Sequence, residues 1–334
     1  MALVPPTLQD VLRAREVVRR YLEPTPVVTR PALDERLGFQ AYLKCENLQP
    51  IGAFKLRGGI YLMSRLAPAE RAAGVVTAST GNHGQSIAYA ARLFGVRAVI
   101  YAPEGANPDK VAAMRRLGAE LVLTGRDFDE ARLASEERAT HDGMRYIHSA
   151  NEPDLIAGVG TYALELIEQV PDLDTVIVPI GAGSGVCGTL TVMKAVNPAI
   201  RVIGVQTEQL PVVERSWREG RLVELQSGST FADGLATRVA FALPLRIIAE
   251  SIDDIRLVSE EAMCRAIVAL LDDAKLVAEG AGAAALAAAM ELRGELAGHK
   301  VGLIISGGNI TFETLQWAIS VGRGTAKEAE GGRV

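Results

Sequence analysis

The sequence predicts an α/β fold of two lobes, each an open twisted parallel sheet flanked by helices. Three observations predict it. The chain has 334 residues, 49% of them apolar, which is more than one typical hydrophobic core holds. Short apolar runs alternate with amphipathic stretches, the pattern of βαβ crossovers. Glycine-rich segments follow directly on apolar runs, where open α/β sheets place ligands.

Residues 7–22 have helical spacing, with Thr7 as N-cap, and Pro24-Thr25-Pro26 ends that helix. Residues 41–44 read as a short strand. The first alternating series is strand 74–77, helix 82–94, strand 98–101, helix 108–117, strand 120–123 and helix 128–140. A second series begins after Arg145-Tyr146-Ile147-His148. It comprises helix 156–169, strand 175–180, a glycine loop, helix 187–196 and strand 201–205. The last strong strand is 301–305. The polar, glycine-rich end beyond Gly322 is expected to lack fixed structure, with 326–334 a disordered tail.

Composition excludes several function classes. The formal charge is −5, from 35 basic and 40 acidic residues spread along the chain, so no nucleic-acid partner is expected. Cys45, Cys187 and Cys264 follow no metal or disulfide spacing and read as small apolar fillers in a reducing compartment. No basic residue precedes Arg13 and no long apolar core follows the start, so no signal peptide is expected. The longest small-apolar run, 281–290, is too short to span a bilayer. The expectation is a cytoplasmic protein with no membrane partner.

Four segments carry chemistry. In Ala53-Phe54-Lys55-Leu56-Arg57-Gly58-Gly59, a lysine lies between apolar residues. A lysine that forms Schiff bases must be deprotonated near neutral pH; burial lowers its pKa, and a neighbouring cation such as Arg57 would add to that. Gly58 and Gly59 would let the backbone approach a bulky cofactor. A surface lysine in a turn could have the same neighbours. Ser79-Thr80-Gly81-Asn82-His83-Gly84 opens a helix after a strand, where backbone N–H groups attract a carboxylate or phosphate without a basic side chain. The same residues cap a helix well. The density of polar groups over Ser79, Thr80, Asn82 and His83 favours a ligand site.

The loop from Pro179 to Gly188 follows a strand and opens a helix, which suits a phosphate. It also contains G-x-G-x-x-G at Gly183, Gly185 and Gly188, with Glu208 twenty residues on. A nicotinamide-dependent oxidoreductase therefore stays open from this loop alone. That alternative leaves Lys55 and 79–84 unexplained. Ser306-Gly307-Gly308-Asn309 follows the last strand. A serine hydroxyl there can hydrogen-bond a pyridine nitrogen without protonating it, which suits elimination with a prompt leaving group. A tight turn would use the same residues.

Taken in this order, the segments closely resemble the fold-type II pyridoxal-phosphate enzymes, with their tryptophan synthase β-like fold. The nearest branch is the threonine/serine dehydratase and serine racemase group, and the resemblance runs from about Leu8 to Trp317. It implies pyridoxal 5′-phosphate as cofactor. Lys55 would hold it as a Schiff base and act as α-proton base. Phe54, Asn82, Gly181, Ala182, Gly183, Ser184, Gly185, Glu279 and Ser306 would contact it: Asn82 at the 3′-oxygen, the glycine loop at the phosphate, Ser306 at the pyridine nitrogen and Glu279 near the ring edge. Ser79, Thr80, Gly81 and His83 would line the substrate carboxylate pocket, with Thr237 facing the substrate. Leu56 looks like the dehydratase side, since sulfur-transfer and threonine-synthase relatives usually carry an acidic residue there.

The sequence departs from the family pattern in four places. Ala53 replaces a serine before the Phe-Lys pair. Ala182 and Ser184 stand where four glycines are common. Thr80 stands where the racemase has a serine acting on the opposite face of the α-carbon, and it keeps a hydroxyl. Gln206, Leu210 and Val212 fall at or near the racemase-type divalent-metal positions, and the last two supply no side-chain oxygen, so no metal is expected.

The resemblance implies a large cofactor-binding lobe of residues 1–45 plus 144–325 and a small lobe of 46–143. It implies β-elimination from L-threonine or L-serine, a small hydroxyamino-acid substrate and a homodimer or homotetramer. Serine racemisation, 3-hydroxyaspartate dehydration and a non-catalytic cofactor carrier stay open. The chain ends soon after Ser306-Asn309, so a regulatory C-terminal domain, and with it isoleucine feedback, is not expected; a catabolic role is.

Overall fold

The computed structural model describes residues 3–325, and the expected disordered tail, 326–334, lies outside the described residues. Its larger sheet has six strands in the order Val27–Val28, Gln40–Cys45, Lys300–Ile305, Thr175–Pro179, Arg201–Thr207, Asp254–Val258. Only the two-residue strand at one edge is antiparallel to its neighbour. The smaller sheet is parallel throughout, in the order Glu120–Leu123, Ala98–Ala102, Val75–Ala78, Arg145–Tyr146. Strands Val75–Ala78, Ala98–Ala102 and Thr175–Pro179 are buried along their whole length, as expected where helices cover both faces of a parallel sheet.

The helix Lys55–Arg65 joins the sheets. It packs on Asn82–Phe94 of the smaller sheet's layer and on Pro153–Gln169 of the larger one's. Gly58 and Gly59 make that approach possible rather than admitting a cofactor: a methyl on Gly58 would lie 2.7 Å from the Leu155 carbonyl, and one on Gly59 would run into Ser86. Thr7 caps the first helix, Leu8–Val18, through a capping box with Asp10, although the helix ends four residues before the expected Leu22.

Some elements are not foreseen. The helix Gly280–Glu291 is apolar on every side, so it has no periodicity to detect; it is buried against strands Thr175–Pro179 and Lys300–Ile305 and the helix Glu260–Ala269. The edge strand Asp254–Val258 is short and charged. The helix expected from Cys187 starts earlier, at Ser184, because Gly183 adopts φ +107° and caps it. Cys45, Cys187 and Cys264 are buried and unpaired, and burial raises all three thiols, Cys45 and Cys264 to about 12. Among the described residues no helix is long and apolar enough to cross a membrane.

Candidate active site

Three of the four sequence segments lie at the C-terminal ends of parallel strands. Ser79 follows Val75–Ala78, the glycine loop follows Thr175–Pro179, and Ser306 follows Lys300–Ile305. Lys55 reaches them because its own segment is sewn to the last strand. Ala53 pairs with Gly307 in an isolated bridge, and the Phe54 N–H donates to the Ser306 carbonyl at 3.0 Å. The helix then starts at Lys55, and its Nζ donates to Ser184 Oγ at 2.7 Å and to the Ser149 carbonyl at 3.2 Å. Burial lowers the Lys55 amine to about 8.

Arg57 does not contribute to that lowering as expected. Its guanidinium is fully buried and spends every N–H elsewhere. Two go to Glu46 (2.7 and 2.8 Å), two to Glu165 (2.6 and 2.7 Å) and one to Thr161 (3.2 Å). Lys44, also fully buried, donates to Glu165 and to the Thr25 carbonyl, both at 2.7 Å. Two carboxylates therefore balance two cations, and Arg57 presents no free charge to Lys55.

At the second segment, Ser79 Oγ accepts from the Gly84 N–H at 2.8 Å and the Gly81 N–H at 3.2 Å, tying the loop to the start of the helix Asn82–Phe94. Thr80, Gly81 and Asn82 are half-buried. His83 is buried, with Nε2 3.1 Å from Thr77 Oγ1. That hydroxyl donates to the Ile147 carbonyl, so it accepts from His83, which fixes the Nε2–H tautomer and leaves Nδ1 an acceptor without a partner. Burial, the Lys55 charge and His148 push His83 down to about 3.

The glycine loop has no room for a side chain at Gly181 or Gly183. A methyl on Gly181 would run into the Gly234 carbonyl, and one on Gly183 would lie 2.7 Å from Pro244 Cβ. A methyl on Gly185 would touch the Phe54 ring at 3.4 Å, which places Phe54 against the loop. Gly181 and Ala182 are half-buried and Ser184 is buried. First-turn N–H groups of a helix have no partner within it, so Ser184–Val196 points a set of donors and its positive end into this cradle.

On the far side, Ser306 is buried at its strand end. Glu279 is buried too; its N–H donates to the Gly307 carbonyl at 3.1 Å, and its carboxylate accepts from Asn82 Nδ2 at 2.7 Å. Burial pushes Glu279 up to about 7 against the pull of that bond. Thr237 stands apart. Its N–H donates to the Leu235 carbonyl, and its loop meets the cradle through Gly234.

Sequence reasoning assigned no role to three residues here. Asn309 lies within a quoted segment, but its partner Asn82 is 227 residues away. His148 and Ser149 follow the strand Arg145–Tyr146, a position that is itself a signal in parallel sheets. His148 Nδ1 accepts from the Ala150 and Asn151 N–H groups at 3.0 and 2.9 Å, and its ring stands edge-on to Phe241. Burial, then the Lys55 charge, pushes it down to about 4. At the position of the racemase metal ligands, Gln206 Oε1 instead accepts from the Val213 and Glu214 N–H groups, at the start of the helix Val212–Glu219, and Leu210 and Val212 are buried.

A lysine amine held at a helix N-terminus, beside a loop closed to side chains at Gly181 and Gly183, is a fit for an aldehyde that carries a phosphate. The family profile described as pyridoxal-phosphate dependent enzyme matches residues 18–307. The chain belongs to this family. Its cofactor is accordingly pyridoxal 5′-phosphate, and the nicotinamide alternative falls; the third glycine of that G-x-G-x-x-G run, Gly188, packs against Gly160 of a neighbouring helix. This family member is 39% identical over 316 residues to an L-threonine ammonia-lyase of Thermotoga maritima, covering 95% of this chain and 79% of that one. It is 36% identical over 318 residues to an L-threo-3-hydroxyaspartate ammonia-lyase of Saccharomyces cerevisiae, covering 95% and 98%. Its fold matches the structure of maize serine racemase with a TM-score of 0.90 at 31% identity, covering 95% and 97%.

Proposed function

We propose that this enzyme is an ammonia-lyase acting on L-threonine, L-serine or both, yielding 2-oxobutanoate or pyruvate and ammonia. The observation that carries the reading is the Lys55 amine on Ser184, near a strand end that offers the hydroxyl of Ser306 rather than a carboxylate. In this reading residues 1–45 with 144–325 form the cofactor lobe and 46–143 the smaller one, except that the strand Arg145–Tyr146 completes the smaller sheet and carries that boundary past it. Phe54, Asn82, Gly181, Ala182, Gly183, Ser184, Gly185, Glu279 and Ser306 hold the cofactor. When bound, pyridoxal phosphate supplies the electron sink for charge developing at the substrate α-carbon.

The protein's part is to place and move protons. Lys55 Nζ, lowered to about 8, removes the α-proton, and a fraction of it is neutral at pH 7 without protonation being lost as a resource. The same nitrogen returns the proton to the departing β-hydroxyl. Ser184 Oγ and the Ser149 carbonyl keep Nζ in reach of both positions. The loop of Ser79, Thr80 and Gly81 takes the substrate carboxylate, with His83 contributing its first-turn backbone N–H, since its ring N–H is spent on Thr77, and Thr237 faces the substrate's other end. The relative named L-threonine ammonia-lyase supports threonine as a substrate. Thr80 keeps a hydroxyl for proton transfer at the opposite face, so slow racemisation is part of the reading. So is a homodimer or homotetramer, for which the exposed Phe312 and Trp317 are candidate contacts and sedimentation velocity the check.

The test is a visible absorption spectrum of the cofactor-loaded protein before and after L-threonine, with oxoacid release followed in parallel. A band that shifts on addition, together with 2-oxobutanoate, is the expected result. A shifted band without oxoacid from threonine or serine would overturn the lyase reading in favour of racemisation, 3-hydroxyaspartate or a carrier role.

A further inference from the structure

A hydrogen-bond chain with a fixed direction crosses the candidate site. The Ile51 carbonyl can only accept. Asn309 meets it with Nδ2 at 2.8 Å, and the other proton of that nitrogen goes to Asn82 Oδ1 at 2.7 Å. Asn82 must therefore turn its oxygen toward Asn309 and its nitrogen away from it, where Nδ2 donates to Glu279 Oε1 at 2.7 Å. An amide nitrogen carries two protons, so one Asn82 N–H is left over. The surroundings reserve space for this chain. The Gly308 N–H donates to the Gly52 carbonyl at 2.9 Å, holding the Asn309 loop against the Ile51 turn. A methyl on Gly52 would lie 2.6 Å from Asn309 Oδ1, and one on Gly307 would run into Glu279 Oε1.

We infer that Asn309 is a positioning residue: it dictates the amide orientation of Asn82 and so presents the spare Asn82 N–H as a donor to the cofactor's 3′-oxygen. The inference rests on the reading of Asn82 as a cofactor contact. The direction of the whole chain is set by one backbone carbonyl at Ile51, which no side-chain rotation can reverse. Asn309→Asp removes the donor to Asn82 Oδ1 and puts an acceptor in its place. Asn82 then reverses, gives its nitrogen to residue 309 and turns its oxygen toward Glu279, and the spare donor leaves the site.

The experiment is a double-mutant cycle on the full chain, stripped of cofactor and titrated with pyridoxal phosphate. Its variants are Asn82→Ala, Asn309→Asp and the pair. The readouts are the dissociation constant and the position of the visible band, with the thermal midpoint of the stripped protein as a check on folding. Asn82→Ala and Asn309→Asp should each weaken binding about tenfold, the scale of one lost hydrogen bond, and shift the band alike. In the Asn82→Ala background, Asn309→Asp should add less than about twofold, because its effect passes through Asn82. Where the aspartate does not fold, Asn309→Ala removes the donor without a charge and should show the same non-additivity. An equal loss in both backgrounds would overturn the positioning role. An unchanged affinity and band in Asn82→Ala would remove the cofactor contact and the positioning role together, while oxoacid release from threonine tests the lyase reading separately.

Discussion

Lys55 and Arg57 lie two residues apart in the first turn of one helix, and Arg57 is wholly, Lys55 partly, withdrawn from water. Arg57 is enclosed by Glu46 and Glu165, with every N–H satisfied, and those two carboxylates raise it further although burial opposes. Lys55 has neutral partners only, a hydroxyl and a carbonyl, and burial lowers it to about 8. Burial with counter-charges makes a structural cation. Burial without them makes a reactive one. The helix geometry that separates their side chains lets one turn do both.

Four experiments sharpen or break this contrast, beginning with the largest effect. Lys55→Met should lower oxoacid formation by about 10²–10⁴-fold or more, as expected for loss of the proton-transferring group, and remove the cofactor's Schiff-base absorption. Retained turnover would put the chemistry elsewhere. Arg57→Met should destabilise the protein by about 3–5 kcal/mol in urea unfolding, because it strands the fully buried Glu46 and leaves the half-buried Glu165 with Lys44 alone. Adding Glu46→Gln and Glu165→Gln to it should recover part of that loss; no recovery would show that the guanidinium matters through its volume.

The third experiment has opposite signs at the two sites. Lys55 is lowered from 10.5 to about 8 on folding, so the unfolded chain binds more protons between those values. The stripped protein is therefore penalised below about pH 8, and the penalty fades as pH rises toward 10.5. Lys55→Met should stabilise the stripped protein at pH 7 by about 1–2 kcal/mol after allowance for solvent screening, and should flatten its stability between pH 8 and 10. For the other site, Glu46 is lowered on folding: burial raises it, but the Arg57 charge and hydrogen bonds, Lys44 and Thr25 together outweigh burial. Its contribution is present above the unfolded carboxylate pKa and is lost as pH falls through the folded one, so acid should attack the Arg57 cluster and leave the Lys55 penalty in place. Smallest of the four, Ser184→Ala removes one hydrogen bond to the lysine and should cost cofactor binding about 1 kcal/mol, with the thermal midpoint of the stripped protein nearly unchanged. A large fall in that midpoint would make Ser184 a cap of its helix first and a lysine partner second.

The strand–helix alternation from about residue 74 to 205 was legible because periodicity and turn residues agree there, and 82–94 and 120–123 are recovered without error, whereas the helix Lys55–Arg65 was not foreseen. The all-apolar helix Gly280–Glu291 was not, since burial on every side erases the period that reports a helix. Among candidate site residues, Lys55, Ser184, Asn82 and Ser306 stand out locally by their neighbours, whereas Glu279 was reached only through the family resemblance. Asn309 and His148 do not, because what gives them meaning is a partner on another element. Arg57 shows the opposite failure: its proximity to Lys55 in sequence suggested an influence that Glu46 and Glu165 cancel in space.

The sequence by itself determined which residue types stand after which strands: a lysine after an aromatic, a polar loop, a glycine cradle and a serine. These depend on local chemistry, on turn geometry and on the free donors of a helix N-terminus. Only the tertiary structure decided which charges survive. Whether a buried cation is matched, whether a histidine is neutral and which way an amide points all depend on groups brought together from distant strands. Electrostatic balance is a sum over neighbours in space, and the linear chain lists neighbours only along itself.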